Sequence, residues 1–189
     1  MHWFKGMDLP RGMWQVETEA ITKFQNYIVF NNTRVAPDTL PAEIRKHSTP
    51  VLVDDTEQPS YMYVNELVPP WKYKDVYKLA EDLLRRANSV SWKFHLTHWG
   101  QPIRMNTYPC GIGFSDHTDH NHRDDSKLVF VQVMNDEYEG GDLYIDNELV
   151  KLSKGDIVVF PSFMQHRVDP ITSGTRITLS GWAAGPRFY

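Results

Sequence analysis

The spacing of hydrophobic residues divides the chain into two regions. Through about residue 100, the strand-like segments WQVET, NYIVF and YMYVNELV accompany one clear helix within Tyr73 to Asn88. Apolar residues recur at helical spacing along one face of that helix. A second, weaker helix is predicted over Leu40 to His47. Neither helix carries an evident chemical motif, so both are interpreted as packing elements. The residues assigned to the buried face of the first helix are Val76, Leu79, Ala80, Leu83, Leu84 and Ala87.

From about Ile103 onward the pattern changes to short strands broken by turn residues. The apolar segments are KLVFVQVM, DLYI, ELVKL and DIVVF, followed by QHRV and TRITLSGW with DPITSG between them. Many short strands at this spacing favour a sandwich or barrel. We therefore predict a mainly β (α+β) fold, with a double-stranded β-helix core of the jelly-roll or cupin-like type. Residues 1–189 are expected to form a single domain: 1–102 would give helical and strand support, and 103–185 the β-helix.

Composition narrows the class of protein. Of the 189 residues, 41% are hydrophobic and 23% charged, which is ordinary for a globular domain. The net charge of −4 gives no basic surface for nucleic acid or an anionic membrane. No apolar run approaches the roughly 18 residues of a membrane span. The single cysteine, Cys110, and the absence of a secretory signal favour an intracellular, cytoplasmic and soluble protein. Oligomeric state is not indicated.

A metal site is indicated by the segment His117-Thr118-Asp119. Alternate residues of a strand point the same way, so a His-x-Asp pair can offer two ligands from one segment. Two histidines and one carboxylate form the ligand set of non-haem iron(II) oxygenases, which leaves the other metal positions open. A rival pair, His122-x-Asp124, lies almost against the next apolar strand. The first pair is favoured because it follows a strand-like segment and precedes a polar loop. His120 and His122 are then loop residues near the mouth of the site.

The third ligand is expected from a distant strand facing the first. The candidates are His47, His95, His98 and His166. His166 is favoured because Arg176 lies ten residues further on, across a loop that is predicted to fold the two segments into a hairpin. A guanidinium is a planar fork suited to a carboxylate. A metal ligand and an anion anchor would then lie side by side.

The strand that carries Arg176 has two faces of different polarity. One face presents Arg176, Thr178, Ser180 and Trp182, and the other presents Ile177 and Leu179. The polar face could lie in water, or it could line a polar pocket inside the barrel while the apolar face packs on the helices. Periodicity alone favours neither arrangement.

Taken together, these segments resemble the prolyl-hydroxylase branch of the 2-oxoglutarate oxygenases. The resemblance covers about Tyr108 to Trp182. It comprises His-x-Asp, an Asn followed by a Glu-Gly-Gly turn, Phe-Pro-Ser before the distal His, and an Arg ten residues after it. Any one of these features is weak, but their common order and spacing are specific. Residues 1–102 match no family segment, and this is where such enzymes often shape a substrate groove.

The resemblance implies a role for each matching residue. His117, Asp119 and His166 would bind iron. Arg176 and Tyr108 would bind the distal carboxylate of 2-oxoglutarate, with Gln132 as a further pocket residue. Trp182 would line the active site near the metal, and Arg123 is assigned to the substrate. The implied cofactors are Fe(II), 2-oxoglutarate and O2, with ascorbate as a stimulant. Gly140 and Gly141 are interpreted as a turn that needs unusual backbone angles.

The implied activity is hydroxylation of an unactivated C–H bond, with conversion of 2-oxoglutarate to succinate and CO2. Halogenating relatives replace the carboxylate ligand by a small residue, so Asp119 favours hydroxylation. A prolyl residue in a protein or peptide is the first substrate expected, and a free amino acid or other small molecule the second. Oxidative nucleic-acid demethylases carry a second arginine where Trp182 stands, so they fit less well. A metal-binding cupin-like module that does not use 2-oxoglutarate is the alternative from another class.

Overall fold

The computed structural model describes residues 25–36, 40, 48–54, 60–120 and 125–187. Within these ranges the chain forms twelve strands and one α-helix. In chain order they are β1 (Ile28–Phe30), β2 (Thr49–Asp54), β3 (Ser60–Glu66), α1 (Lys74–Val90, after a 3-10 turn at Pro70–Tyr73), β4 (His98–Pro109), β5 (Phe114–His117), β6 (Ser126–Val133), β7 (Tyr138–Gly140), β8 (Leu143–Ile145), β9 (Glu148–Val150), β10 (Ile157–Pro161), β11 (His166–Val168) and β12 (Ile171–Ala184).

The strands form two sheets that face each other. The larger sheet has the order β1-β10-β6-β12-β4-β3-β2, with β7 also paired to β12, and the smaller has the order β5-β11-β8-β9. All of the strand pairs are antiparallel. Apolar residues of both sheets pack together between them, including Leu143 and Ile145 of β8 and Val158 and Phe160 of β10. We call this space the barrel interior. The predicted mainly β, double-stranded β-helix fold is confirmed.

The polar face of β12 lies in the barrel interior. Trp182 packs with the apolar residues between the sheets, whereas Ile177 and Leu179 pack in the core beneath the helix. Arg176, Thr178 and Ser180, on the same face as Trp182, are buried. The structure therefore decides between the two arrangements that the strand periodicity left open.

Helix α1 covers the outer face of the larger sheet. It spans Lys74–Val90, close to the predicted Tyr73 to Asn88. One predicted core position is wrong: Leu79 is exposed, and Tyr77 is buried in its place, where its hydroxyl donates to the carbonyl of Leu67. The sequence correctly indicated an amphipathic helix. Because its apolar face is wide, however, the spacing alone did not show that Tyr77 and not Leu79 lies on the buried face.

The packing of α1 gives a direct stability test. Leu84 is 2% exposed and Leu79 is 44% exposed, although both belong to the same helix. We expect Leu84→Ala to lower the free energy of unfolding by about 2–5 kcal/mol, because it leaves a cavity in the core. Leu79→Ala should change it by less than about 0.5 kcal/mol, as surface substitutions usually do. Chemical denaturation of the two variants measures the difference, and equal losses would contradict this placement of the helix.

The predicted hairpin between His166 and Arg176 is wrong. His166 begins β11 in the smaller sheet, whereas Arg176 lies on β12 in the larger one. Most of the predicted loop is strand, because β12 already begins at Ile171 and pairs there with β7. His166 and Arg176 therefore belong to facing sheets.

The N-terminal half contributes strands to the larger sheet. β1 pairs with β10, and β3 pairs with β4, so the two halves of the chain share hydrogen-bonded sheet structure. The strand predicted over WQVET, and the helix predicted over Leu40 to His47 apart from Leu40, lie outside the described residues. Within the described ranges, no helix has the length and apolar character needed to cross a membrane.

Candidate active site

His117, Asp119 and His166 converge at one end of the barrel. Nε2 of His117 lies 3.7 Å from Oδ1 of Asp119, and Nε2 of His166 lies 3.5 Å from Oδ2. His117 ends β5 and is the cross-strand partner of His166 on β11. The two histidines thus come from neighbouring strands of one sheet, which corrects the expectation of facing strands. Asp119 lies just beyond the end of β5, not on it.

Both imidazole rings are held with Nε2 directed at Asp119. Nδ1 of His117 lies 2.8 Å from the carbonyl oxygen of Ser115, and Nδ1 of His166 lies 3.0 Å from that of Met164. A carbonyl only accepts, so each Nδ1 carries the proton and each Nε2 offers a lone pair. Burial also lowers the pKa of His166, opposed by the nearby Asp119 carboxylate. This is the tautomer that a metal ligand needs.

The Phe-Pro-Ser motif holds the loop that carries Asp119. The carbonyl oxygen of Ser162 accepts hydrogen bonds from the backbone N–H groups of Asp119 and His120, both at 2.9 Å. The Ser162 hydroxyl donates to the carbonyl of Ser126, and the Ser162 N–H donates to that of Lys127. Ser162, which is four residues before His166, therefore links the Asp119 loop to β6 through hydrogen bonds. The sequence offered this motif only as a family feature, without its structural role.

These three residues suit a divalent transition metal. One ligand atom from each lies within 4.8 Å of the others, and no other group of His, Cys, Asp and Glu in the described ranges meets this criterion. Two neutral imidazoles and one carboxylate match the ligand preference of non-haem iron(II). Of the rival histidines, His95 and His98 are exposed. His47 and the pair His122 and Asp124 lie outside the described residues.

Arg176 is a buried cation without an acidic partner in the described part of the chain. It is 2% exposed, and its Nε has no hydrogen-bond partner there. The guanidinium carbon lies 5.5 Å from the ring centroid of Tyr108, its cross-strand partner. Burial raises the pKa of Tyr108, an effect that Arg176 opposes, so its hydroxyl stays protonated and able to donate. Burying an unpaired charge is costly, so this arrangement calls for an anionic ligand.

A cavity of about 380 Å³ borders Arg176. Its other lining residues include Val133, Tyr138, Leu143, Val150 and Lys151. Gly141 has a φ of +69°, and a Cβ there would lie 2.9 Å from Cδ of Arg176. Glycine therefore allows this turn to approach the arginine closely, as well as to adopt its backbone angle. Asp142 also lines this cavity, whereas Tyr108 and the three residues of the metal cluster do not.

Of the remaining predicted site residues, Trp182 lies in the barrel interior and Gln132 does not. Trp182 is buried between the sheets, and Arg104 lies 5.3 Å from its ring centroid. Gln132 lies away from the barrel interior: its Oε1 accepts hydrogen bonds from the N–H groups of Val35 and Ala36. The assignment of Gln132 to the cosubstrate pocket is corrected by this placement, since strand alternation turns Val131 and Val133 inward instead. Arg123 lies outside the described residues.

Asn135 holds the backbone on both sides of Arg176. Its Oδ1 accepts from the N–H of Ile177, and its Nδ2 donates to the carbonyl of Thr175, each at 2.8 Å. The Asn135 side chain thus makes the hydrogen bonds to β12 that a neighbouring strand would otherwise make on either side of Arg176. This is the asparagine of the family-like motif, and sequence reasoning gave it no role.

Loss of the Asn135 hydrogen bonds should weaken 2-oxoglutarate binding more than it lowers the stability of the fold. We expect Asn135→Ala to raise the KM for 2-oxoglutarate about 3- to 10-fold, in line with the loss of about one hydrogen bond, with a smaller change in kcat. Asn88 provides a matched control, because its side chain also makes two hydrogen bonds to backbone, both at Phe94. Asn88→Ala should lower the melting temperature without changing that KM. The same KM shift in both variants would contradict a positioning role.

Comparison with known proteins agrees with this geometry. Residues 103–184 match the 2OG-Fe(II) oxygenase superfamily. A PKHD-type hydroxylase of Prochlorococcus marinus is 32% identical over 112 residues, covering 55% of this chain and 48% of the relative. A PKHD-type hydroxylase of a Psychrobacter species is 35% identical over 95 residues, covering 43% and 37%. The chain thus spans less than half the length of these two curated relatives.

Solved structures show the same fold. A prolyl-4-hydroxylase of Pseudomonas putida superposes with a TM-score of 0.66 at 23% identity, covering 87% of this chain and 94% of that one. A prolyl hydroxylase of Trichoplax adhaerens, in complex with a hypoxia inducible factor peptide fragment, gives a TM-score of 0.61 at 16% identity and covers 84% and 83%. Residues 103–184, less than half of the chain, thus match the 2OG-Fe(II) oxygenase superfamily, and the fold resembles that of the solved prolyl hydroxylases.

Proposed function

We propose that this protein is an iron(II)- and 2-oxoglutarate-dependent dioxygenase that hydroxylates an unactivated C–H bond. The observation that carries the proposal is Arg176, a buried cation with no acidic partner in the described ranges. It lies on the sheet that faces the His117, Asp119 and His166 cluster. A metal-binding module that does not use 2-oxoglutarate would have no need for a buried, unpaired guanidinium.

Each residue of the site has a defined task in this proposal. His117, Asp119 and His166 would hold the metal through two Nε2 lone pairs and a carboxylate oxygen. Arg176 binds the distal carboxylate of 2-oxoglutarate, and the hydroxyl of Tyr108 donates to the same group. Iron, O2 and 2-oxoglutarate together supply the oxidising power for C–H hydroxylation, with succinate and CO2 as coproducts. The apolar residues between the sheets exclude water from this chemistry.

The substrate proposed is a prolyl residue in a protein or peptide. Support comes from the likeness to prolyl hydroxylases, one of which is described in complex with a peptide fragment. Trp182 is the proposed substrate-side residue near the metal, and Arg123 stays a predicted substrate contact. A free amino acid or other small molecule is the competing substrate class. A cytoplasmic location accompanies the proposal, on the ground of the single cysteine.

Succinate release over a panel of substrates tests the proposal. Proline-containing peptides should stimulate succinate release and gain one oxygen by mass spectrometry, whereas the same peptides with alanine for proline should not. Free proline and other small amino acids complete the panel. Stimulation by amino acids alone would overturn the peptide assignment and leave the oxygenase assignment intact. Absence of 2-oxoglutarate binding to the iron-loaded protein would overturn the oxygenase assignment itself.

A further inference from the structure

The ring of Phe114 lies against a histidine of the metal cluster, and the proposed reaction gives it no role. Its ring centroid is 4.1 Å from that of His117, and the two ring planes are tilted by 36°. Phe114 begins β5, and His117 ends it. Nδ1 of His117 lies 2.8 Å from the carbonyl oxygen of Ser115, so Nε2 is left for the metal. A metal bound to that atom would lie beside the Phe114 ring.

Phe114 also lies on the side of the barrel interior where the cosubstrate is proposed to bind. Its side chain packs against the apolar cluster between the two sheets and against a second cluster, which contains Tyr108 and Val64. Tyr108 is the cross-strand partner of Arg176, the proposed anchor of 2-oxoglutarate. The same ring therefore contacts a ligand of the metal cluster and packs with the residues proposed for the cosubstrate.

Phe114 is more accessible than Phe160, a second ring that contacts the metal cluster. The ring of Phe160 meets that of His166 edge-on, with 4.9 Å between the centroids, but Phe160 is completely buried in the core between the sheets. A close-packed core has no room for an added atom. Phe114 is only half-buried, which leaves space for one. Of these two rings, Phe114 is thus the one that an oxidising centre in the site can modify.

We propose that Phe114 is a self-hydroxylation site: when no substrate is bound, its ring takes the oxygen atom that would otherwise enter the substrate. The inference rests on the proposed function, since 2-oxoglutarate and O2 are the co-reactants. One atom of O2 enters succinate, and the other is inserted into a ring C–H bond to give C–OH. 2-Oxoglutarate supplies two electrons as it loses CO2, and the ring C–H bond supplies the other two. A closed and occupied site prevents such a side reaction, whereas an empty one does not.

Peptide mass spectrometry of the full chain tests this assignment. The protein is loaded with Fe(II) and incubated in air with catalase and a subsaturating concentration of 2-oxoglutarate, without any substrate. Phe114 should gain the mass of one oxygen atom on most chains, and it should not do so when 2-oxoglutarate is left out. Arg176→Met should gain that mass at least about 10-fold more slowly, because the loss of the buried charge weakens 2-oxoglutarate binding.

Phe163 is the matched control within the same protein. Its side chain is 40% exposed, and its ring contacts that of Phe94. An oxidant that diffuses in solution would reach Phe163 before the half-buried Phe114, whereas the proposed reaction should leave Phe163 unmodified. An unmodified Phe114, equal oxidation of the two rings, or equal oxidation of Phe114 in Arg176→Met would overturn the inference. Failure of the wild-type protein to bind 2-oxoglutarate at all would overturn the proposed function as well, so the two failures are distinguishable.

Discussion

Replacement of His166 by glutamine should lower the affinity for Fe(II) more than about 100-fold and abolish substrate hydroxylation. Loss of a residue that only supports a metal ligand typically costs 10- to 100-fold in affinity, and loss of a ligand should exceed that. His166 is 7% exposed and directs Nε2 at Asp119, so its removal leaves a ligand set of two. Glutamine preserves much of the volume, which limits the loss of stability. Anaerobic equilibrium dialysis against Fe(II) measures the affinity.

His98→Gln is the control for this experiment. His98 is exposed, and its Nδ1 lies 2.9 Å from the hydroxyl of its neighbour Thr97. Its substitution should leave iron binding and turnover unchanged. Wild-type affinity in the folded His166→Gln protein would show that iron is not held by His117, Asp119 and His166.

Arg176→Met should weaken 2-oxoglutarate binding by about 100-fold or more and leave Fe(II) binding unchanged. Removing one partner of a buried charge pair costs about 2–5 kcal/mol, and each 1.4 kcal/mol corresponds to a tenfold change in affinity. The same substitution should stabilise the ligand-free protein, because it replaces an unpaired buried charge by an apolar side chain of similar length. Arg176→Met should thus lower the affinity for 2-oxoglutarate and raise the stability of the ligand-free protein. A general disruption of the fold would lower both.

Thermal melts with and without 2-oxoglutarate separate these effects. The wild-type melting temperature should rise when the ligand is added to the Mn(II)-loaded protein, and that of Arg176→Met should not. Arg167→Met is the control, since Arg167 pairs with Asp169 on the smaller sheet and lies over the Tyr144 ring. Its ligand-induced shift should equal that of the wild type. A full ligand-induced shift in Arg176→Met would remove the arginine from the cosubstrate site.

Local sequence patterns were sufficient to predict most of the strands and the helix α1. KLVFVQVM and DIVVF are short apolar runs with both faces buried, and they became β6 and β10. The amphipathic spacing from Val76 to Ala87 located α1 within two residues at each end. The metal cluster was also predicted, because His-x-Asp is a local motif and Arg176 drew attention to His166, although the hairpin assumed between His166 and Arg176 is wrong. The structure brings those three side chains together as the sequence suggested.

The pairing of distant strands, and the direction in which their side chains face, could not be predicted from the sequence. DPITSG resembles a turn, but its pairing with β7 makes most of it strand, and this places Arg176 on the sheet that faces His166. Gln132 lies one residue from the inward-facing Val133, and a shift of one position reverses the face of a strand residue.

The most direct test of a coupled iron and 2-oxoglutarate site is an anaerobic titration followed by visible absorption. Addition of 2-oxoglutarate to the Fe(II)-loaded wild-type protein should produce a metal-to-ligand charge-transfer band that saturates at one equivalent. The band should be absent without iron and in His166→Gln, and in Arg176→Met it should require a far higher 2-oxoglutarate concentration. Absence of the band in the wild-type protein, or an identical titration in Arg176→Met, would contradict the coupled site.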